Sequence, residues 1–192
     1  MITDRNDATH LEFNDQYGFK YREVTTCLNQ DEQRSQINIL THNAIFFQLS
    51  GELHIFWESH NDLIIKPGDL YFLPRGANVS AYMVDKEMKY IVARLDHDLD
   101  NLSLFKELFK DEKYNNQEGY SFSSLPIKEP MKIFVDSIER YILDGIDNPQ
   151  LHNMKFLELY MIFLNYYTRQ ECVNLFYPVF KEGSKFKTFI FE

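Results

Sequence analysis

Histidine, cysteine and paired carboxylates are the side chains that could bind a metal or move a proton in this 192-residue chain, and they are sparse. Cys27 and Cys172 are the only cysteines and lie far outside any Cys-x-x-Cys arrangement, so neither a zinc site nor a disulfide framework is indicated. A first-row metal needs about three or four nitrogen, oxygen or sulfur donors converging within roughly 2.0–2.3 Å. The other available chemistry is a metal-free acid/base pair, a histidine base with a tyrosine acid, for which His54 with Tyr71 or Tyr82 supplies the types. His54 alternates with apolar neighbours in Glu52-Leu53-His54-Ile55 and is expected to point outward. Asp96-His97-Asp98 has acid/base composition too, but it follows a strand-like run and reads as a solvated loop. No phosphate loop, Gly-x-Ser-x-Gly elbow or His-Glu-x-x-His helix occurs.

Any such residues must be held by the elements around them, and from about His10 to Leu95 those elements read as short strands. Runs of β-branched and aromatic residues are broken by polar or Gly/Pro turns, which predicts a sandwich or barrel. The predicted strands are Phe19–Thr25, Gln36–Leu40, Asn43–Leu49, Glu52–Trp57, Asp62–Lys66, Asp69–Leu73, Asn78–Met83 and Met88–Leu95, with a hairpin tip at Glu58–Asp62. The densest signal is Pro67-Gly68-Asp69-Leu70-Tyr71-Phe72-Leu73-Pro74-Arg75-Gly76. Gly68 supplies the positive φ of a type II turn after Pro67, Leu70 to Leu73 can bury, and Pro74 with Gly76 turns the chain again.

That stretch resembles the second half of the cupin signature, in which Pro-Gly-Asp leads to Pro-x-Gly and then to a metal-binding histidine three residues on. Val79 stands at that third position. If Gly51 ends the first half, Ala44 stands where the family has its ligand glutamate. The His-x-His pair falls on Ile37 and Ile39, or on Asn38 and Leu40 with a spacing one residue shorter. His42 is near but out of register. The resemblance thus implies a cupin-like barrel, a double-stranded β-helix, without the metal set and with no cofactor. It also places Ala44, Phe46, Gln48, Val79 and Ala81 inward, and alternation adds Leu53, Ile55 and Trp57. Lys89, Ile91 and Ala93 are expected as a further inward row. The ligand-pocket candidates are therefore Gln48, Trp57, Val79, Ala81, Lys89 and Ile91, with Trp57 as a stacking face and Gln48 and Lys89 as polar contacts.

Composition narrows the partners. The net charge of -9 opposes phosphate backbones and anionic lipid. No apolar run approaches the roughly 18 residues of a membrane span, and Met1–Asp7 has no signal-like core, so the expected location is the cytoplasm. The 12 tyrosines and 17 phenylalanines supply large buried area per residue.

Beyond Asp96 the periodicity becomes helical: a short piece at Leu99–Phe109, a polar linker at Asp111–Gly119, then two longer helices. In the first, Ile127, Met131, Phe134, Ile138 and Tyr141 recur at helical spacing, Pro130 suits the opening turn, Asp136 can pair with Arg140, and Asp147-Asn148-Pro149 is the expected stop. The second, about Leu151 to Arg169, carries two apolar stripes: Met154, Leu157, Met161 and Leu164, beside Phe156, Tyr160, Phe163 and Tyr167. Two stripes exceed what one neighbour covers, so Met154, Leu157, Met161 and Leu164 are candidates for a homodimer interface.

A metal-free cupin barrel at 1–98 followed by a helical dimerisation region at 99–192, the two forming one compact unit, resembles the amino-terminal half of AraC-type bacterial transcription regulators, especially a Bacteroidetes-like group. Matching segments are Phe47-Gln48-Leu49-Ser50-Gly51-Glu52, the stretch from Ile65 to Gly76, and Leu175-Phe176-Tyr177-Pro178-Val179-Phe180. The resemblance implies a domain that senses a small-molecule effector, a sugar or similar, and dimerises. DNA would be read by a helix-turn-helix region absent from this chain, whose apolar end, Phe189-Ile190-Phe191-Glu192, looks cut. The rival expectations are a cupin enzyme acting on a sugar or other small molecule, a stand-alone small-molecule-binding cupin, and a cupin that only contacts other proteins.

Overall fold

The computed structural model describes residues 18–25, 35–37, 42–57, 62–77, 79–95 and 122–177. Eight strands come first: β1 Gly18–Thr25, β2 Ser35–Ile37, β3 Asn43–Ser50, β4 Leu53–Trp57, β5 Leu63–Ile65, β6 Asp69–Leu73, β7 Val79–Met83 and β8 Glu87–Leu95. A two-residue β9, Leu125–Pro126, precedes helices α1 Glu129–Leu143 and α2 Pro149–Tyr166, and a third helix, α3, covers 169–177. The strands form two antiparallel sheets, ordered β1-β8-β3-β6-β9 and β2-β7-β4-β5. Each of the eight sequence-predicted strands is therefore present, seven with ends within one residue of expectation, while β2 is described only to Ile37 and the expected continuation over 38–40 lies outside the described residues. The expected helix at Leu99–Phe109, the linker at Asp111–Gly119, the hairpin tip, Asp96-His97-Asp98 and the last residues of the Phe-Tyr-Pro segment lie outside the described residues.

Two apolar layers follow from strand alternation. One lies between the sheets and contains Ala44, Phe46, Leu53, Ile55, Ile65, Tyr71, Leu73, Val79, Ala81, Met88, Tyr90, Val92 and Phe122. The other lies between the first sheet and the helices, where Phe19, Ile45, Phe47, Leu70, Phe72, Ile91 and Ala93 meet Met131, Phe134, Ile138, Phe156, Leu159, Phe163 and Phe176. The first sheet is buried on both sides, so β3 reads as the continuous apolar run Ala44-Ile45-Phe46-Phe47 rather than an alternation. The fold is a cupin-like β sandwich with helices C-terminal to it.

The turn between β3 and β4 is built around Gly51, at φ +74°, where an added Cβ would stand 2.3 Å from the Glu87 carbonyl oxygen. Both the left-handed backbone and the close approach demand glycine. β9 was not legible in the sequence, because a Leu-Pro pair carries no period and proline cannot donate to a ladder. It is tolerated here at the edge of the sheet, against Leu70 and Asp69.

The helices end earlier than expected. Gly145, at φ +73°, terminates α1 after Leu143, before Asp147-Asn148-Pro149 is reached, with the Ile146 amide returning to the Tyr141 carbonyl. Pro130 does sit in the opening turn, Ile127 lies just outside the helix, and Arg140 reaches Asp144 at 4.0 Å instead of Asp136. Asn148 caps α2 by accepting from the Gln150 amide at 2.8 Å. α2 stops at Tyr166 because Thr168 and Glu171 form a capping box for α3, each side chain accepting from the other's backbone N–H.

Candidate functional site

β3, β6 and β8 send the aromatic rings Phe46, Tyr71 and Tyr90 into the space between the sheets because their pairing puts these positions side by side, Phe46 opposite Tyr71 and Gln48 opposite Tyr90. Phe46 stacks on Tyr71 and tilts against Tyr90 at 5.9 Å. Phe122 meets Tyr71 edge-on and also meets Trp57, 5.3 Å away at 84°. Val79 and Ala81 face the same space and are buried. Trp57 is half-buried and packs against this layer, as expected of a residue at the hairpin edge.

The polar groups inside are few. Gln48 is fully buried and donates its side-chain amide to the carbonyls of Ser50 (3.0 Å) and Gly51 (2.8 Å), so half of its hydrogen-bonding capacity holds the turn. Its Oε1 has no hydrogen-bond partner among the described residues. Burial pushes the Tyr71 phenol well above its ordinary pKa, with Tyr90 nearby adding to the rise. Burial likewise takes Tyr90 up to about 12, against a smaller opposing pull from Arg22 and Arg94. Arg94 is buried at the end of the same row of β8.

The expected inward row on β8 is displaced by one residue. Pairing Ala44 with Arg94 and Phe46 with Val92 turns Met88, Tyr90 and Val92 inward, and sends Lys89, Ile91 and Ala93 to the other face. Ile91 and Ala93 pack under the helices, while the Lys89 ammonium meets Glu23 at 3.2 Å near the sheet edge. Lys89 and Ile91 are thus removed from the interior, and Tyr90 takes their place. A one-residue change of parity reverses every side chain of a strand. The flanking alternation could not set that parity, because β8 is apolar on both faces.

His54 points outward, as its alternation predicts, and shares a 2.6 Å hydrogen bond with the Tyr82 hydroxyl on the outer face of the second sheet, beside Phe56. Tyr71, the other tyrosine weighed as an acid partner, is on the opposite, inner face. Among the described residues, no group of three or more His, Cys, Asp or Glu side chains is placed to hold a metal.

On α2 the two stripes separate. Phe156, Tyr160, Phe163 and Tyr167 are buried, whereas Met154, Leu157 and Met161 remain 68%, 54% and 50% exposed and Leu164 is intermediate. Lys155 adds a polar bridge to α1, donating to Ser137 Oγ at 3.0 Å with Glu158 at 2.7 Å on its other side. The outward stripe is consequently unpartnered within the described residues. No helix among them is long and apolar enough to cross a membrane.

The family profile described as the ExsA N-terminal regulatory domain matches residues 43–175. No curated protein matches the sequence. Among solved structures, the hydroxypropylphosphonic acid epoxidase from S. wedmorenis is 18% identical over 40% of this chain and 42% of that one, with a TM-score of 0.34. A protein from Neisseria meningitidis is 11% identical over 47% of this chain and 87% of that one, TM-score 0.35. An ethanolamine utilization protein Q from Salmonella typhimurium LT2 is 20% identical over 39% and 55%, TM-score 0.30. The aligned region spans less than half the length of the epoxidase.

Proposed function

Given that this chain belongs to the ExsA N-terminal regulatory domain family, we propose that it self-associates and senses an effector on behalf of an AraC-type transcription regulator, in a bacterial cytoplasm. The observation that carries the reading is the outward stripe Met154, Leu157 and Met161 on a helix whose other face is already packed. Each large apolar side chain buried in a contact contributes about 1.5–3 kcal/mol before association costs. A second copy, presenting the same stripe across a two-fold axis, is the partner that covers it. Dimerisation would fix the spacing of two helix-turn-helix readers on DNA, which this acidic chain would not contact itself.

Effector sensing is the finer half of the proposal. It is supported by Gln48 Oε1, a buried acceptor without a partner among the described residues, on a side chain opposed to Tyr90 beside the aromatic interior, the pairing of a polar group with rings that holds small molecules such as sugars. The regulatory reading is favoured over a cupin enzyme because the His54–Tyr82 pair lies on the outer sheet face, away from this interior. Sedimentation equilibrium at tens of micromolar tests the core of the proposal. A dimer is expected, and a monomer at that concentration, where a standard-size interface assembles, defeats the self-association reading.

A further inference from the structure

His152 of α2 is buried at the junction of the helices with β1, and both of its ring nitrogens are engaged. Nδ1 accepts from the Phe19 backbone N–H at 3.4 Å, and Nε2 lies 2.8 Å from Asp147 Oδ1. A nitrogen facing an N–H must carry a lone pair, and one facing a carboxylate must carry the proton. The contacts therefore select the neutral tautomer protonated on Nε2. The ring also stacks near Phe19, 5.9 Å away, and a Cβ on Gly18 would stand 3.2 Å from its atoms. β1 is the terminal strand of its sheet, so this N–H is one that the ladder leaves open.

We propose that His152 is a proton-sensitive clasp between β1 and the helical hairpin. Taking a proton from solvent, Nδ1 becomes a donor facing the Phe19 donor, and that hydrogen bond is lost. The same event strengthens the hold of the imidazolium on Asp147, so the ring stays with the helices and releases the strand. Lys20 makes the second tie from β1 to this point, its ammonium 3.3 Å from Asp147 Oδ2. It then shares one carboxylate with a second cation and is weakened too. The charged groups facing the ring are Asp147 from the turn between the helices and, through it, Lys20 from β1. α1 presents Phe134 and Ile138 to this layer, and no charged group of α1 touches the imidazole among the described residues. One tie runs to α2 and the other to the turn that leads into it, so the start of β1 loosens from the helix that bears the outward stripe while the sheet pairing with β8 is untouched.

Nuclear magnetic resonance on the full 192-residue chain tests the clasp. Long-range nitrogen–proton spectra of His152 are expected to show the Nε2–H tautomer in the neutral ring. The Phe19 amide protection factor, corrected for intrinsic exchange, is expected to fall at least tenfold from about pH 8 to about pH 5, the span over which imidazoles ordinarily change charge. Protection at Val92 should hold constant. In His152→Gln, which keeps hydrogen-bonding capacity without a titrating ring, the step at Phe19 should vanish. An Nδ1–H tautomer, an unchanging Phe19 protection factor in the wild type, or the same step in the glutamine variant would each overturn the proposal. The first two need only wild-type protein.

Discussion

Phe46 and Tyr71 lie ring over ring between the two sheets, 4.8 Å between centroids and 6° from parallel, because they are directly opposed on β3 and β6. Directly opposed side chains on one sheet face are the closest non-local neighbours a strand offers. Truncating one ring leaves a void that its neighbours only partly fill, so Phe46→Ala should lower unfolding free energy by about 3–5 kcal/mol in urea melts. Tyr71→Phe, which takes only a hydroxyl out of this apolar layer and keeps the ring, should change stability by no more than about 1 kcal/mol. A loss above that size would show that Tyr71 has a partner, such as a buried water.

The stripe on α2 gives a test that separates association from folding. Met161 is half exposed in one chain, so Met161→Glu should cost little stability in the monomer, yet a dimer would have to desolvate the new charge. Light scattering is expected to report a folded monomer with unchanged β-type circular dichroism. Leu164→Glu, at a less exposed position, should disrupt both association and, to a smaller degree, the fold. A Met161→Glu protein that remains dimeric would move the interface elsewhere.

Gln48 and Gly51 cooperate in one turn. Gln48→Leu leaves the Ser50 and Gly51 carbonyls without their donor and should destabilise by about 1–3 kcal/mol. Gly51→Ala should be at least as damaging, because the added methyl meets a backbone carbonyl that cannot swing aside as a side chain end would. Chemical denaturation midpoints measure both, and a neutral Gly51→Ala would contradict the turn geometry.

Alkaline pH should unfold the protein through its phenols. Tyr90 and Tyr167 are each raised to about 12, chiefly by burial, and Tyr71 is raised as well. A raised folded pKa means that the protonated form is favoured in the native state. The resulting stability is complete below the ordinary tyrosine value of about 10 and is lost as pH climbs towards about 12. Absorbance at the tyrosinate band should therefore rise in two stages, exposed phenols first and the buried ones only with loss of near-ultraviolet dichroism. A single smooth titration of all 12 tyrosines, with the fold intact, would refute this.

Metal removal should leave stability unchanged. Val79 and Ala44 occupy two of the positions where the cupin pattern carries ligands, and both side chains are buried among hydrocarbon. Melting temperature with and without chelator should agree, and elemental analysis should find no stoichiometric iron, manganese or zinc. A chelator-sensitive melt would reopen the enzyme alternative.

The strands, the turns and the two helical stripes were legible in the chain, since these depend on alternation, glycine and proline, all of which act over a few residues. The Pro67-Gly68-Asp69 turn and the eight strands came from that local signal, as did the outward direction of His54, whose flanking residues alternate cleanly. Where local signals were ambiguous, long-range pairing and packing set the outcome. β8 is apolar on both faces, so its parity came from its pairing with β3, and Tyr90 displaced Lys89 and Ile91 from the interior. α1 ended at Gly145 because a left-handed glycine offered an earlier stop than the proline beyond it. Which stripe of α2 is buried depended on the sheet and α3 packing from one side, information that no periodicity within the helix contains. The contact between His152 and Phe19 joins residues 133 positions apart, and a lone histidine in a helix carries no signal of the strand it will meet.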